Sequence, residues 1–167
     1  MIKTSVAPHE DVSEFQVRWV FGSISQALRQ QLVTFWLQEG AIANADEAWR
    51  RSFEVACVLW EGEAKDLAGV CTVAIHMDER GRSYGFVRIF IRRESRFVGL
   101  NVGLMQRMIE GFTALARESG APQRLVATIE NPKIARRGGL RLLARLGFRS
   151  VGTAANGELI IERSLNT

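Results

Sequence analysis

The sequence predicts one α/β domain, a mixed and mostly antiparallel sheet with a parallel pair at its centre and about four helices. Three observations carry this expectation. A chain of 167 residues with 47% apolar content suits a single domain with a real core. The β-branched and aromatic run at 85–91 gives way to Leu100, Leu104, Met105, Met108, Ile109 and Phe112 at helical spacing, and then to another strand-like run at 124–129. A strand–helix–strand order of this kind is a crossover, which implies parallel pairing. Ahead of it, polar Gly-containing turns at 61–66 and 78–83 read as hairpins and join their strands antiparallel.

Each element has its own local reason. Residues 1–14 are polar and contain Pro8, a loose lead-in. Residues 15–21 alternate well enough for a first strand, and Gly22-Ser23 breaks it. A helix follows over about 24–38, capped by Ser23 or Ser25 and ended by Gly40. A shorter one over about 44–53 takes Asn44 or Asp46 as its cap. Strands are expected at about 54–61, 66–77 and 84–91. The central helix spans about 100–118, with Gly120 and Pro122 beyond its end. After the strand at 124–129, Glu130-Asn131-Pro132 is a break, and a basic helix runs over about 134–146 to Gly147-Phe148. Two strands, from 149 and over 158–164, close the chain around a turn at 152–157. No repeat or linker interrupts this course, so 1–167 reads as one domain.

Composition narrows the function. No apolar span is long enough for a membrane helix, and the first residues lack the apolar centre of a secretory signal. Cys57 and Cys71 sit inside apolar strand-like runs and read as buried reduced thiols. The two histidines, His9 and His76, are far apart, which argues against a zinc site. A cytoplasmic protein with no membrane partner is the expectation. Between Arg82 and Arg149 lie 14 basic and 4 acidic residues, a surplus of ten, against a deficit of six over the rest of the chain. That half would attract a phosphate-bearing ligand.

The link between the central strand and helix, Ile91-Arg92-Arg93-Glu94-Ser95-Arg96-Phe97-Val98-Gly99, is short, rich in arginine and ends in glycine. A helix that starts from such a turn presents unpaired N–H groups and the positive end of its dipole to an anion. Arginines add charge-assisted bonds to phosphate. Ile91, Arg96, Gly99 and Asn101 resemble the V-x-x-x-x-R-x-x-G-x-G/A signature of the GNAT superfamily of acyl-CoA-dependent N-acyltransferases, with Asn101 where Gly or Ala is usual. The element order, β–α–α–β–β–β–α–β–α–β–β, is also that family's, over roughly residues 15–165. Leu143-Ala144-Arg145-Leu146-Gly147-Phe148 is similar to a second family pattern, Tyr-x-Lys-x-Gly-Phe.

The resemblance implies a central parallel pair splayed to hold CoA, with acetyl-CoA as acyl donor. It implies that Phe97, Val98, Gly99, Leu100, Asn101, Val102 and Gly103, with Arg96, cradle the pyrophosphate, and that Phe90, Ile91 and Arg92 offer a backbone N–H to the thioester. It also exposes departures. Leu143 stands where many members carry a tyrosine that protonates the leaving thiolate, and leucine cannot donate a proton. Arg136 stands where many carry an asparagine, and Asn131 is the nearest alternative.

Acyl transfer to an amine needs a polarised carbonyl, a base, a proton for the thiolate and a rigidly held donor. Glu130, at the end of the parallel strand, is the candidate base, its alternative being a surface glutamate paired with Lys133 or Arg136. His76 and Tyr84 are weaker candidates with structural readings beside them. Arg92 and Arg93 are candidates for an acidic acceptor or a CoA phosphate. The four tryptophans, all within the first 60 residues, are core or rim packing, or line an acceptor pocket.

The reading is an N-acetyltransferase acting on a small-molecule or peptide amine, with no nucleic-acid partner. A homodimer is an option through an exposed closing strand. Its rivals are a non-catalytic acyl-CoA-binding module on the same fold, and a basic nucleic-acid-binding domain.

Overall fold

The computed structural model describes residues 14–96, 98–130 and 137–165. Among these described residues, seven strands form one sheet in the order β1-β2-β3-β4-β5-β7-β6. In chain order the elements are β1 (Phe15–Trp19), α1 (Gln26–Gln38), α2 (Ala45–Ser52), β2 (Val55–Glu61), β3 (Asp66–Met77), β4 (Ser83–Ile91), a 3-10 turn (Arg93–Ser95), α3 (Val98–Leu115), β5 (Arg124–Ile129), α4 (Arg137–Arg145), β6 (Arg149–Thr153) and β7 (Leu159–Ser164). The predicted mixed sheet is present. All neighbouring pairs are antiparallel except β4 and β5, which are parallel.

Capping chemistry places the early helices. The Ser25 hydroxyl accepts the N–H of Leu28 at 3.1 Å, and the Asn44 side-chain oxygen accepts those of Asp46 and Glu47. Both helices cover one face of the sheet, where Leu32, Phe35, Trp36 and Ala48 pack against Val55, Val58 and Val70. On the other face Leu104, Met105, Met108, Ile109 and Phe112 of α3 pack against Cys57, Cys71, Val87 and Leu125. Phe112, Leu104 and Met108 are fully buried, each contributing about 1.5–3 kcal/mol.

Three expectations need correction. α3 begins at Val98 rather than Leu100, because the 3-10 turn takes up much of the chain reversal after β4. The first strand stops at Trp19 rather than running on to Phe21, since the N–H of Val20 makes the last bond, to Ala56, before the turn at Gly22. The last strand, β7, is not an edge. It pairs with β5 on one side and β6 on the other, so the exposed edge on that side is β6. The basic helix is described only from Arg137, and the expected start near 134 lies outside the described residues.

The helix end at Gly147-Phe148 shows why those two residues stand together. Gly147 adopts φ +86, its N–H donates to Ala144 and the N–H of Phe148 reaches back to Leu143 at 2.9 Å. This is the two-bond left-handed cap that glycine permits. Leu143 and Phe148 both join the apolar cluster beneath α3.

Candidate active site

The site is set by where β4 and β5 pair and where they stop. At its base the pair is tightly held. Asp78 accepts the N–H groups of Arg80 and Arg82, both at 2.9 Å, and its other oxygen takes the Arg124 guanidinium at 3.0 Å, tying the β3–β4 hairpin to β5. The Arg82 N–H foremost, with the Arg124 side chain and the Arg80 N–H, holds the Asp78 carboxyl below its ordinary value. Gly85 lets the strands close, since a methyl group there would lie 2.6 Å from Val73 and 3.2 Å from Leu125.

Pairing between β4 and β5 covers only Tyr84, Gly85 and Phe86 against Arg124, Leu125 and Val126. Beyond that, β4 stays on β3 as far as Ile91 and β5 stays on β7 as far as Ile129. The two central strands therefore diverge into a gap. No bulge opens it, because β3 and β4 keep one register throughout.

The N–H of Arg92 donates to the Ala68 carbonyl at 2.8 Å. Alternation along an antiparallel ladder then directs Phe90 and Arg92 to β3, and turns the N–H and C=O of Val87, Ile89 and Ile91 toward the gap. Of the three residues expected to offer an N–H there, Ile91 does so. Ile89 was missed, although counting back two residues from Ile91 would have found it. Arg96 donates from Nε to the Ile91 carbonyl at 2.8 Å, fixing the end of the strand.

Arg92 has another task. Its guanidinium forms an ion pair with Glu61 at the end of β2, and its Nε donates to Ser95 Oγ at 2.8 Å. The buried Ser95 hydroxyl in turn donates to Glu61 at 3.1 Å. This triad fastens the 3-10 turn to the β2–β3 hairpin and so sets where α3 starts. Arg93 is exposed on that turn.

The first turn of α3 faces outward. Gly99 is exposed, with nothing within 4 Å of the position a Cβ would take, and Asn101 is exposed beside it. The turn holds no acidic residue, and its leading N–H groups have no partner within the helix. An anion such as a pyrophosphate fits these residues. Leu100 packs on the core and Val102 is half-buried. A Cβ on Gly103 would lie 3.8 Å from Val17 of β1, an ordinary contact distance. Phe97 lies outside the described residues, as do Asn131, Lys133 and Arg136, and Val98 is described only as part of the helix.

Glu130 is exposed at the end of β5. His76 and Tyr84 pair across β3 and β4 with ring centroids 5.6 Å apart, seven residues and about 23 Å of strand away from Ile91. Neither reaches the gap's open end. Burial pushes the Cys57 thiol up to about 12 despite Arg107 nearby, and raises Cys71 as well, so both are protonated structural thiols. Trp36 is buried core, Trp19 packs edge-on to Phe112 at 5.1 Å, and Trp49 rests on Phe53. Trp60 lines a cleft.

That cleft has two parts. A polar hollow of about 320 Å³ lies beside Phe90, between Gln38 and Glu39 of α1 and Arg93, Glu94 and Arg96. A larger groove of about 990 Å³ runs along α1 to Trp60 and the β2–β3 hairpin.

No protein-family model and no curated protein matches the chain. Solved structures do. A GNAT-family acetyltransferase from Streptococcus pneumoniae is 17% identical, with 90% of this chain and 99% of that one covered at a TM-score of 0.64. A GNAT-superfamily phosphinothricin acetyltransferase from Sinorhizobium meliloti, in complex with AcCoA, is also 17% identical, with coverages of 90% and 88% and a TM-score of 0.64. A ribosomal-protein-S5-alanine acetyltransferase from Vibrio fischeri is 15% identical, with coverages of 93% and 98% and a TM-score of 0.60. With its divergent central pair and its α3 turn, this chain has the fold of the GNAT acetyltransferases.

Proposed function

We propose that this protein is an N-acetyltransferase that moves the acetyl group of acetyl-CoA to a primary amine by direct attack. The observation that carries this is the gap between β4 and β5 beyond Phe86 and Val126, opening beside the outward first turn of α3. The relative from Sinorhizobium meliloti, with AcCoA bound, supports the donor.

Acetyl-CoA supplies an activated thioester. The α3 first turn around Gly99 and Asn101 holds the pyrophosphate, and Arg93 and Arg96 lower its charge. The gap-facing N–H of Ile91 hydrogen-bonds the thioester carbonyl and favours the oxyanion that develops there, and that of Ile89, about 6.6 Å back along the strand, is left for another polar group of the donor. The amine lone pair attacks the carbonyl carbon, a C–N bond forms, and the C–S bond breaks with its electrons on sulfur. One proton leaves the amine and one reaches the thiolate. Glu130 is the candidate acceptor for the first, directly or through water. Leu143 is half-buried against the core with its carbonyl in the α4 cap, and its side chain has no proton to give, so the second comes from water or another group.

That same leucine favours a second reading, an acyl-CoA-binding module without turnover. Calorimetric titration with acetyl-CoA on the wild type and Gly99→Trp tests the shared site. Saturable binding is expected in the wild type, weakened about tenfold or more in the variant, which fills open space and leaves the core untouched. Absence of binding at millimolar acetyl-CoA would sink both readings. Binding without product from any amine would select the second.

A further inference from the structure

The larger groove is not explained by acyl-CoA binding. It follows α1 from Ala27 to Glu39, with the β2–β3 hairpin as its opposite wall. Gln38 and Glu39 line both it and the hollow at Phe90, so the two join at the C-terminal end of α1, next to the end of β4. We propose that the acceptor amine is carried on a polypeptide, which lies extended in this groove and delivers its amine past Glu39 to the mouth of the β4–β5 gap. The proposal rests on the acyl-transfer reading above and names its acceptor class.

Length, lining and charge favour this occupant. The 13 residues of α1, at about 1.5 Å each, give a track of about 20 Å, the span of about six extended residues. The track has an apolar floor at Leu28, Trp60 and Leu67, suited to alternate side chains. Its rim carries the carboxamides of Gln30, Gln31 and Gln38, which both donate and accept, as a peptide backbone requires. Its charged lining is mixed, with Arg18, Lys65 and Arg92 beside Glu39 and Asp66, so the groove does not select a polyanion or a polycation. A compact amine would need only the hollow of about 320 Å³.

The test is a substrate ladder with acetyl-CoA, from a single amino acid to an octapeptide sharing one N-terminal residue and lacking lysine. An N-blocked hexapeptide with one lysine is assayed beside it, which separates a terminal amine from a side-chain amine. For the amine the site accepts, kcat/KM is expected to rise about tenfold or more with length and level off near six residues, because remote contacts are used at the reacting centre. Thr34→Trp, at an exposed helix position that lines the groove, should cancel that rise while leaving acetyl-CoA affinity and thermal stability in place. Apart from turnover, hexapeptide binding should shift tryptophan emission through Trp60, a shift lost in Trp60→Phe. Equal kcat/KM for amino acid and hexapeptide overturns the proposal, as does a length dependence that Thr34→Trp leaves intact. If the protein binds acetyl-CoA yet neither binds nor acetylates any peptide, the acceptor assignment falls alone. Failure to bind acetyl-CoA removes the acyl-transfer reading and this one with it.

Discussion

Gly111 and Gly99 lie on the same helix and have opposite surroundings. A methyl group on Gly111 would overlap the Trp19 ring, which is wedged against Phe112 and covered by Arg107 at 5.5 Å. Gly99 faces open space. The first glycine lets α3 approach β1, and the second leaves room for a ligand. Gly111→Ala should therefore destabilise the fold by about 1–3 kcal/mol despite the better helix propensity of alanine. A urea titration reads this as a lower midpoint at unchanged slope. An unchanged midpoint would mean that the helix can shift away from β1 at no cost. The sequence alone could not tell the two glycines apart, since the difference lies in what a distant strand places opposite each.

At the scale of elements, the turn after β4 depends on a residue 31 positions upstream. Glu61 ends β2, and its carboxylate holds Arg92 and Ser95 of the turn. Glu61→Gln removes the charge and leaves a half-buried guanidinium without its ion pair. The cost is about 1–2 kcal/mol, between the limits for surface and buried pairs. The turn should loosen with it, so acetyl-CoA affinity is expected to fall several-fold while α1 keeps its packing on Val55, Val58 and Val70. Calorimetry on this variant checks it, and an unchanged affinity would show that α3 holds its own first turn. The sequence marked Arg92 as a phosphate or acceptor ligand because charge in a glycine-ended turn suggests that role. Its partner was illegible, because cross-strand neighbours follow from register. The bounds of β3 and β5 were legible, for apolar runs cut off by polar turns need no tertiary information. The Gly-Phe end of α4 was also legible, and its meaning is a helix cap that seats Phe148 in the core.

Over the whole molecule, the sheet is closed at one end of its central pair, where Arg82 and Arg124 meet Asp78, and open at the other. The crossover visible in the sequence was enough to expect a parallel pair, because a helix between two strands leaves few other topologies. The extent of pairing was not visible, since it is decided by Asp78–Arg124 and Gly85 at the base and by β3 and β7 drawing the strands apart above. The groove along α1 was equally hidden, as it exists only once the β2–β3 hairpin stands beside that helix. The surplus of ten basic residues between Arg82 and Arg149 belongs to the half that carries α3 and the gap. Such a field attracts a triply phosphorylated donor from a distance and is screened by salt over about 8–10 Å at ordinary ionic strength. The groove's charges are mixed, so an extended peptide should respond little. Raising sodium chloride from about 50 to 500 mM should then weaken acetyl-CoA binding by roughly tenfold, with a much smaller change in peptide KM at saturating donor. Stopped-flow and calorimetric titrations across that range decide it. Equal salt sensitivity for donor and acceptor would mean that the basic surplus serves the protein surface as a whole, and that the α3 turn holds its anion by backbone N–H groups alone.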